Sequence, residues 1–138
     1  MQRWSVHTVI NDDTAGNIAG NDGVAFQFQQ GDGIAFLASY PFTSRELVYG
    51  DPPYLHHTRR RATRYPCEMD DEEHAALLET IQALPCRVMI SGYWSELYAQ
   101  ALKDWTAISF QAMTRSGRTA TEWLWFNFSE VVALHDYR

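Results

Sequence analysis

Hydrophobic and polar positions along the chain follow two rhythms. "SVHTVI" (Ser5–Ile10) is β-branched, and "GVAFQFQQ" (Gly23–Gln30) alternates apolar with polar, so both predict strands. "TAGNIAGND" between them is glycine-rich and reads as a loop or a poor short helix. "GDGIAFLASY" opens on turn residues and passes into a short helical run, and "RELVYG" predicts a third strand that stops at Asp51. "MDDEEHAALLETIQALP" (Met69–Pro85) is the clearest helix. Acids crowd its first turn, where the helix dipole favours them, apolar residues follow at helical spacing, and Pro85 closes it. "CRVMIS" is a continuous apolar run, the mark of a strand buried on both faces. "WSELYAQALKD" predicts another helix with Ser95 as its cap. "WTAISFQAM" and "TEWLWFNF" read as strands that pair antiparallel across the turn "TRSGRTA".

Strands alternating with helices predict an α/β fold with a mostly parallel sheet and a C-terminal antiparallel hairpin. Ligands on such sheets sit beyond the carboxyl ends of the strands. Asp51, Asp32, Asp12 or Asp13, and Ser91 all fall at such positions.

Composition narrows the class. The 138 residues make one domain at most, and 46% hydrophobic residues with 14% aromatics fit a packed core. The net charge of −6 argues against a generally basic nucleic-acid coat, yet Arg59, Arg60, Arg61 and Arg64 concentrate positive charge beside His56 and His57. Cys67 and Cys86 form neither a CxxC pair nor a disulfide framework, and the chain has no signal-peptide pattern and no membrane-length apolar stretch. A cytoplasmic protein with two reduced thiols is the expectation. His56, His57, Cys67 and His74 match no standard zinc spacing, so no metal is expected, and His74 reads as solvated among acids. "ISGYW" lacks the nucleophile-elbow pattern of a serine hydrolase.

The densest chemistry follows the third strand, in "YGDPPYLHHTRRR" (Tyr49–Arg61). Two prolines fix the backbone and remove amide donors, which leaves the Asp51 carboxylate and the Pro52 carbonyl as acceptors in a rigid array. Such acceptors suit an exocyclic amino group. Tyr54 offers a flat face for a planar ring, and the arginines offer charge for phosphate. Together they describe grip on an extruded nucleobase that carries an amino group. Asp-Pro-Pro is also good turn chemistry, and arginine runs are often solvated loops.

The flanks extend this pattern. "ELVYGDPPYLHHTRR", "EEHAALLETI", "RVMISGYWSELY" and "RTATEWLWFNF" together resemble, from Asp32 to Phe128, an adenine-specific DNA methyltransferase of the Dam-like, DPPY class. The resemblance implies a Rossmann-like fold, S-adenosylmethionine as cofactor and DNA as partner. It implies that Asp51 and the Pro52 carbonyl accept from the adenine amino group, that Pro53 stiffens the loop, and that Tyr54 stacks on the flipped base. Asp32 matches the acid near the cofactor's adenine, Asp12 or Asp13 the acid on its ribose, and Asp51 borders the same site. Arg59, Arg60, Arg61, Arg64 and Arg118, with Arg115, are the expected phosphate contacts. Glu122 either orients a group at the site or pairs with Arg118.

Two departures qualify the match. The family's glycine-rich cofactor loop is not evident, because Gly31-Asp32-Gly33 stands too close to Asp51 for two further strands. The expectation is a partial catalytic domain over residues 1–138: a fragment, half of a split enzyme, or a chain completed by a second copy. No recognition domain fits between Asp32 and Asp51 either. A non-catalytic fragment or subunit is therefore the alternative to an active methyltransferase.

Overall fold

The computed structural model describes residues 4–11, 24–55 and 69–129. In chain order the elements are β1 (Trp4–Asn11), β2 (Val24–Gly31), α1 (Gly33–Ser39), β3 (Leu47–Gly50), α2 (Asp71–Gln82), β4 (Arg87–Gly92), α3 (Glu96–Ala101), β5 (Thr106–Met113) and β6 (Thr119–Phe126). They form an α/β arrangement with a four-stranded sheet in the order β3-β4-β6-β5 and a separate two-stranded sheet, β1-β2.

The first two strands correct the sequence expectation. They pair antiparallel with each other, Trp4 opposite Gly31 through Asn11 opposite Val24, and do not join the larger sheet. In that larger sheet β3 and β4 are parallel, while β6 pairs antiparallel with β4 on one side and β5 on the other. Three strands thus point one way, but only one adjacent pair is parallel, so the sheet is mixed.

Caps at the helix starts follow from the sequence. Asp70 accepts from the Glu73 amide at 2.8 Å while Glu73 returns a bond to the Asp70 amide at 3.0 Å. This reciprocal box satisfies two orphan donors at the start of α2. Ser95 caps α3 by accepting from the Tyr98 amide. The β5–β6 turn closes with the Thr114 amide donating to the Arg118 carbonyl at 2.8 Å. Gly117, at φ 75°, takes the left-handed position that this tight turn requires.

One face of the larger sheet carries the core. Val88 and Ile90 of β4 and Trp125 of β6 pack against Leu77, Leu78 and Ile81 of α2 and Tyr98 of α3. Truncating a residue such as Leu78, 1% exposed, to alanine would cost about 2–5 kcal/mol through lost transfer energy and the cavity left behind. His74 belongs to this buried stripe and is not solvated as its acidic neighbours suggested. It lies at i with Leu77, Leu78 and Ile81 at i+3, i+4 and i+7, so the helix turns it inward. The other face of the sheet leaves Leu47, Tyr49, Ile108 and Phe110 exposed. Cys86 is buried, and burial pushes its thiol pKa up. Among the described residues no helix is long and apolar enough to cross a membrane.

Candidate active site

Because β3 and β4 are parallel, their carboxyl ends lie side by side, and the chain leaves β3 there as Asp51-Pro52-Pro53-Tyr54. The Asp51 side chain is exposed but not loose. Ser91 of β4, almost fully buried, donates from Oγ to Asp51 Oδ1 at 3.0 Å. The Tyr49 hydroxyl donates in turn to Ser91 Oγ at 3.2 Å. A relay from one strand to the next therefore fixes the carboxylate. Pro52 is buried, and among the described residues none donates to its carbonyl.

Tyr54 is held from two directions. Tyr93, just past β4, stacks on its ring at 4.1 Å between centroids and 22° between planes. The Tyr54 hydroxyl donates to Glu122 Oε1 at 3.2 Å. Burial pushes the Tyr54 phenol pKa well above the ordinary tyrosine range, and the Glu122 and Asp51 carboxylates add to the shift. The phenol therefore keeps its proton and remains a donor at neutral pH. Of the two alternatives for Glu122, the observed partner is a residue of the Asp51 loop, Tyr54. This residue was underweighted in the sequence, where a lone acid among "WLWF" was the available signal.

Beneath the loop lies an aromatic underlay. Pro52, Pro53, Tyr54 and Leu55 meet Ser91, Gly92, Tyr93, His74 and Tyr98 around a void of only about 10 Å³. His74 Nδ1 and the Tyr98 hydroxyl are hydrogen-bonded at 2.8 Å, and Tyr98 lies 5.3 Å from Trp125, whose ring stacks on Trp123. The loop is thus seated on rigid, close-packed rings. Trp94, next to Tyr93, is 54% exposed, unlike Trp105, Trp123 and Trp125.

A larger cleft, about 310 Å³, lies between α1 and α2 and is lined by Asp32, Ile34, Met69, Asp70, Glu72, Glu73 and Ala76. Asp32 stands between β2 and α1, where its Oδ1 accepts from the Ile34 and Ala35 amides at 3.0 Å each. It is therefore a helix cap as well as a cleft residue. The first turn of α2 separates the two regions: Glu73 faces the cleft, and His74 faces the underside of the Asp51 loop.

The topology also sets the hairpin turn. β5 runs in the same direction as β3, so the Thr114–Arg118 turn emerges at the same end of the sheet as Asp51. Pairing of β6 with β4 ends at Trp123 opposite Gly92, while Thr119–Glu122 continue against β5 alone. At about 3.3 Å per residue the hairpin overhangs β4 by roughly 13 Å. Arg115 and Arg118 are exposed at its tip. Arg59, Arg60, Arg61, Arg64, His56, His57 and Cys67 lie outside the described residues, as do Asp12 and Asp13. Among the described residues no group of three or more His, Cys, Asp or Glu side chains gathers to hold a metal ion.

No protein-family model matches the chain, and no curated protein matches it.

Proposed function

We propose that this chain carries the amine-binding part of an S-adenosylmethionine-dependent methyl transfer to the exocyclic amino group of adenine in DNA. The observation that carries the reading is Asp51. Its carboxylate is fixed by Ser91 at the carboxyl end of β3, three residues before a tyrosine ring that is itself held in place. In this reading Asp51 and the Pro52 carbonyl accept from the adenine amino group and turn the nitrogen lone pair outward. Tyr54 stacks on the base through the face that Tyr93 leaves open. Catalysis is then positioning and electrostatics, with no acid or base that must change protonation state. The cofactor supplies a methyl group on a positively charged sulfur. The carboxylates of the cleft beside Asp32 suit the amino and hydroxyl donors of the cofactor's nucleoside end. The overhanging hairpin supports contact with DNA, because Arg115 and Arg118 emerge on the same side as Asp51.

The test begins with calorimetric titration of the purified chain with S-adenosylmethionine, followed by methyl transfer to adenine-containing duplex DNA. Micromolar binding with methyl incorporation at adenine is the expected result. A folded chain that neither binds the cofactor nor methylates DNA would rule the reading out.

A second reading rests on β3, which among the described residues pairs with β4 on one side only and exposes Leu47 and Tyr49. Such an edge accepts a further strand. In that reading the chain is one subunit of a split methyltransferase, and another polypeptide supplies the strand and the glycine-rich loop. It predicts cofactor binding only after a partner chain is added.

A further inference from the structure

The overhang of β6 has a chemical result. Trp123 is the last residue of β6 opposite β4, so Glu122 is the first to stand beyond the carboxyl end of that strand. Here the central strand no longer blocks the way, and a β6 side chain reaches across to the loop that follows β3. Glu122 makes that crossing and accepts the Tyr54 hydroxyl bond over a separation of 68 residues. It is half-buried, and its cross-strand neighbour on β5 is the exposed Phe110, so it neither caps a helix nor fills the core. Asp51 is held instead by Ser91.

We propose that Glu122 is the positioning residue for Tyr54 and thereby sets the plane on which the target base is received. The proposal rests on the methyl-transfer reading above and names a part of the same site. Three constraints define the tyrosine: its own backbone after two prolines, the Tyr93 ring on one face, and Glu122 at the hydroxyl. With only the first two the ring can slide along Tyr93, because stacking tolerates lateral offset. The bond to Glu122 removes that freedom. In the proposed site it fixes the ring face away from Tyr93 relative to the acceptor pair of Asp51 and Pro52. Glu122 acts through Tyr54, without contact to the reacting nitrogen.

The test is a double-mutant cycle on Glu122→Ala and Tyr54→Phe, with Glu122→Gln as the conservative variant, since a glutamine oxygen also accepts from a phenol. Steady-state methyl transfer to an adenine-containing duplex gives kcat and KM. Glu122→Ala is expected to lower kcat about tenfold and to leave KM for S-adenosylmethionine within about twofold. Tyr54→Phe removes the other half of the same bond and should match that loss, and the double variant should be little worse than either alone. Glu122→Gln should stay within about threefold of the parent. Losses that multiply in the double variant, or an unchanged kcat in Glu122→Ala, would overturn the proposal. If Glu122→Ala fails to fold, Tyr54→Phe and Glu122→Gln decide: both near parental activity, or both equally impaired, would overturn it.

A second readout separates this proposal from the function it rests on. In protein carrying isotope-labelled tyrosine, the nuclear Overhauser contact between the Tyr54 and Tyr93 rings should weaken in Glu122→Ala and persist in Glu122→Gln. If the parent chain transfers no methyl group, the proposed function falls, and this contact alone decides the positioning. An unchanged contact in Glu122→Ala would refute it.

Discussion

Two groups of carboxylates flank the first turn of α2, and they are built in opposite ways. Those in the cleft are mostly local: Asp32 binds amides two and three residues ahead, and Asp70 exchanges bonds with Glu73 three residues ahead. Those at the end of β3 are held across the fold, Asp51 by Ser91 and Glu122 by Tyr54, over separations of 40 and 68 residues. A local cap stabilises one helix and survives changes elsewhere. A long-range bond exists only when the whole sheet is assembled, so it serves geometry more than the stability of one element. The contrast separates acids held by their own helix start from acids held only by the assembled sheet.

The sharpest way to break the contrast is at Asp51. Asp51→Ala should reduce methyl transfer by about a thousandfold or more, since it removes an acceptor on the reacting amine. The thermal midpoint should hardly move because the side chain is exposed. A large fall in the midpoint would move Asp51 into the structural group. At Asp32 the two roles can be separated by choice of variant. Asparagine caps helices well and alanine does not, so Asp32→Ala should lose about 1 kcal/mol of stability while Asp32→Asn loses little. If Asp32 also binds the cofactor as a carboxylate, both variants should weaken calorimetric S-adenosylmethionine affinity, by roughly tenfold for alanine. Retained affinity in Asp32→Asn would leave only the capping role.

Smaller effects sharpen the picture. Ser91→Ala should lower kcat about fivefold by releasing Asp51, with Ser91→Thr partly restoring it. Alkaline stability tests the buried rings. Burial pushes the Tyr54 and Tyr98 phenols above their ordinary pKa, so the unfolded chain gives up these protons first as pH rises. Their contribution is full below about pH 10, where free tyrosine titrates, and declines above it. Urea unfolding at pH 8 to 11 should show that decline, with a shallower slope in Tyr98→Phe. Last, Arg118→Ala should weaken duplex binding about twofold to threefold and flatten its salt dependence by about one unit of slope, if the hairpin tip meets phosphate.

What the sequence made legible was largely what is local. The acidic first turn of α2, the Ser95 cap, the glycine in the hairpin turn and the apolar β4 run each depend on neighbours within a few positions. The β5–β6 pairing was legible because a short turn dictates it. Partners across the fold were not. Nothing within Ser5–Ile10 or Gly23–Gln30 says that these strands take each other and leave the larger sheet. The acidic neighbours of His74 suggest a solvated side chain, but its helical register with Leu77, Leu78 and Ile81 buries it. At the candidate site, Asp51, the prolines and Tyr54 stand together in sequence and were visible. Ser91 reads from sequence as a strand-end position and Glu122 as an acid with two possible partners, but their bonds to Asp51 and Tyr54, and the stacking of Tyr93, follow only from the assembled sheet.

That stopping point also sets an order of events. The Tyr54 anchor sits in β6, and that strand must insert between β4 and β5. While a ribosome extends the chain, Asp51, Ser91 and Tyr93 emerge well before Glu122 does. Chain entry at about 5–20 residues per second leaves an interval of seconds in which the loop exists without its clasp. In a nascent chain the Tyr54 ring therefore lacks its clasp until β6 has locked into the sheet. Competence for the proposed chemistry arrives in one closing step.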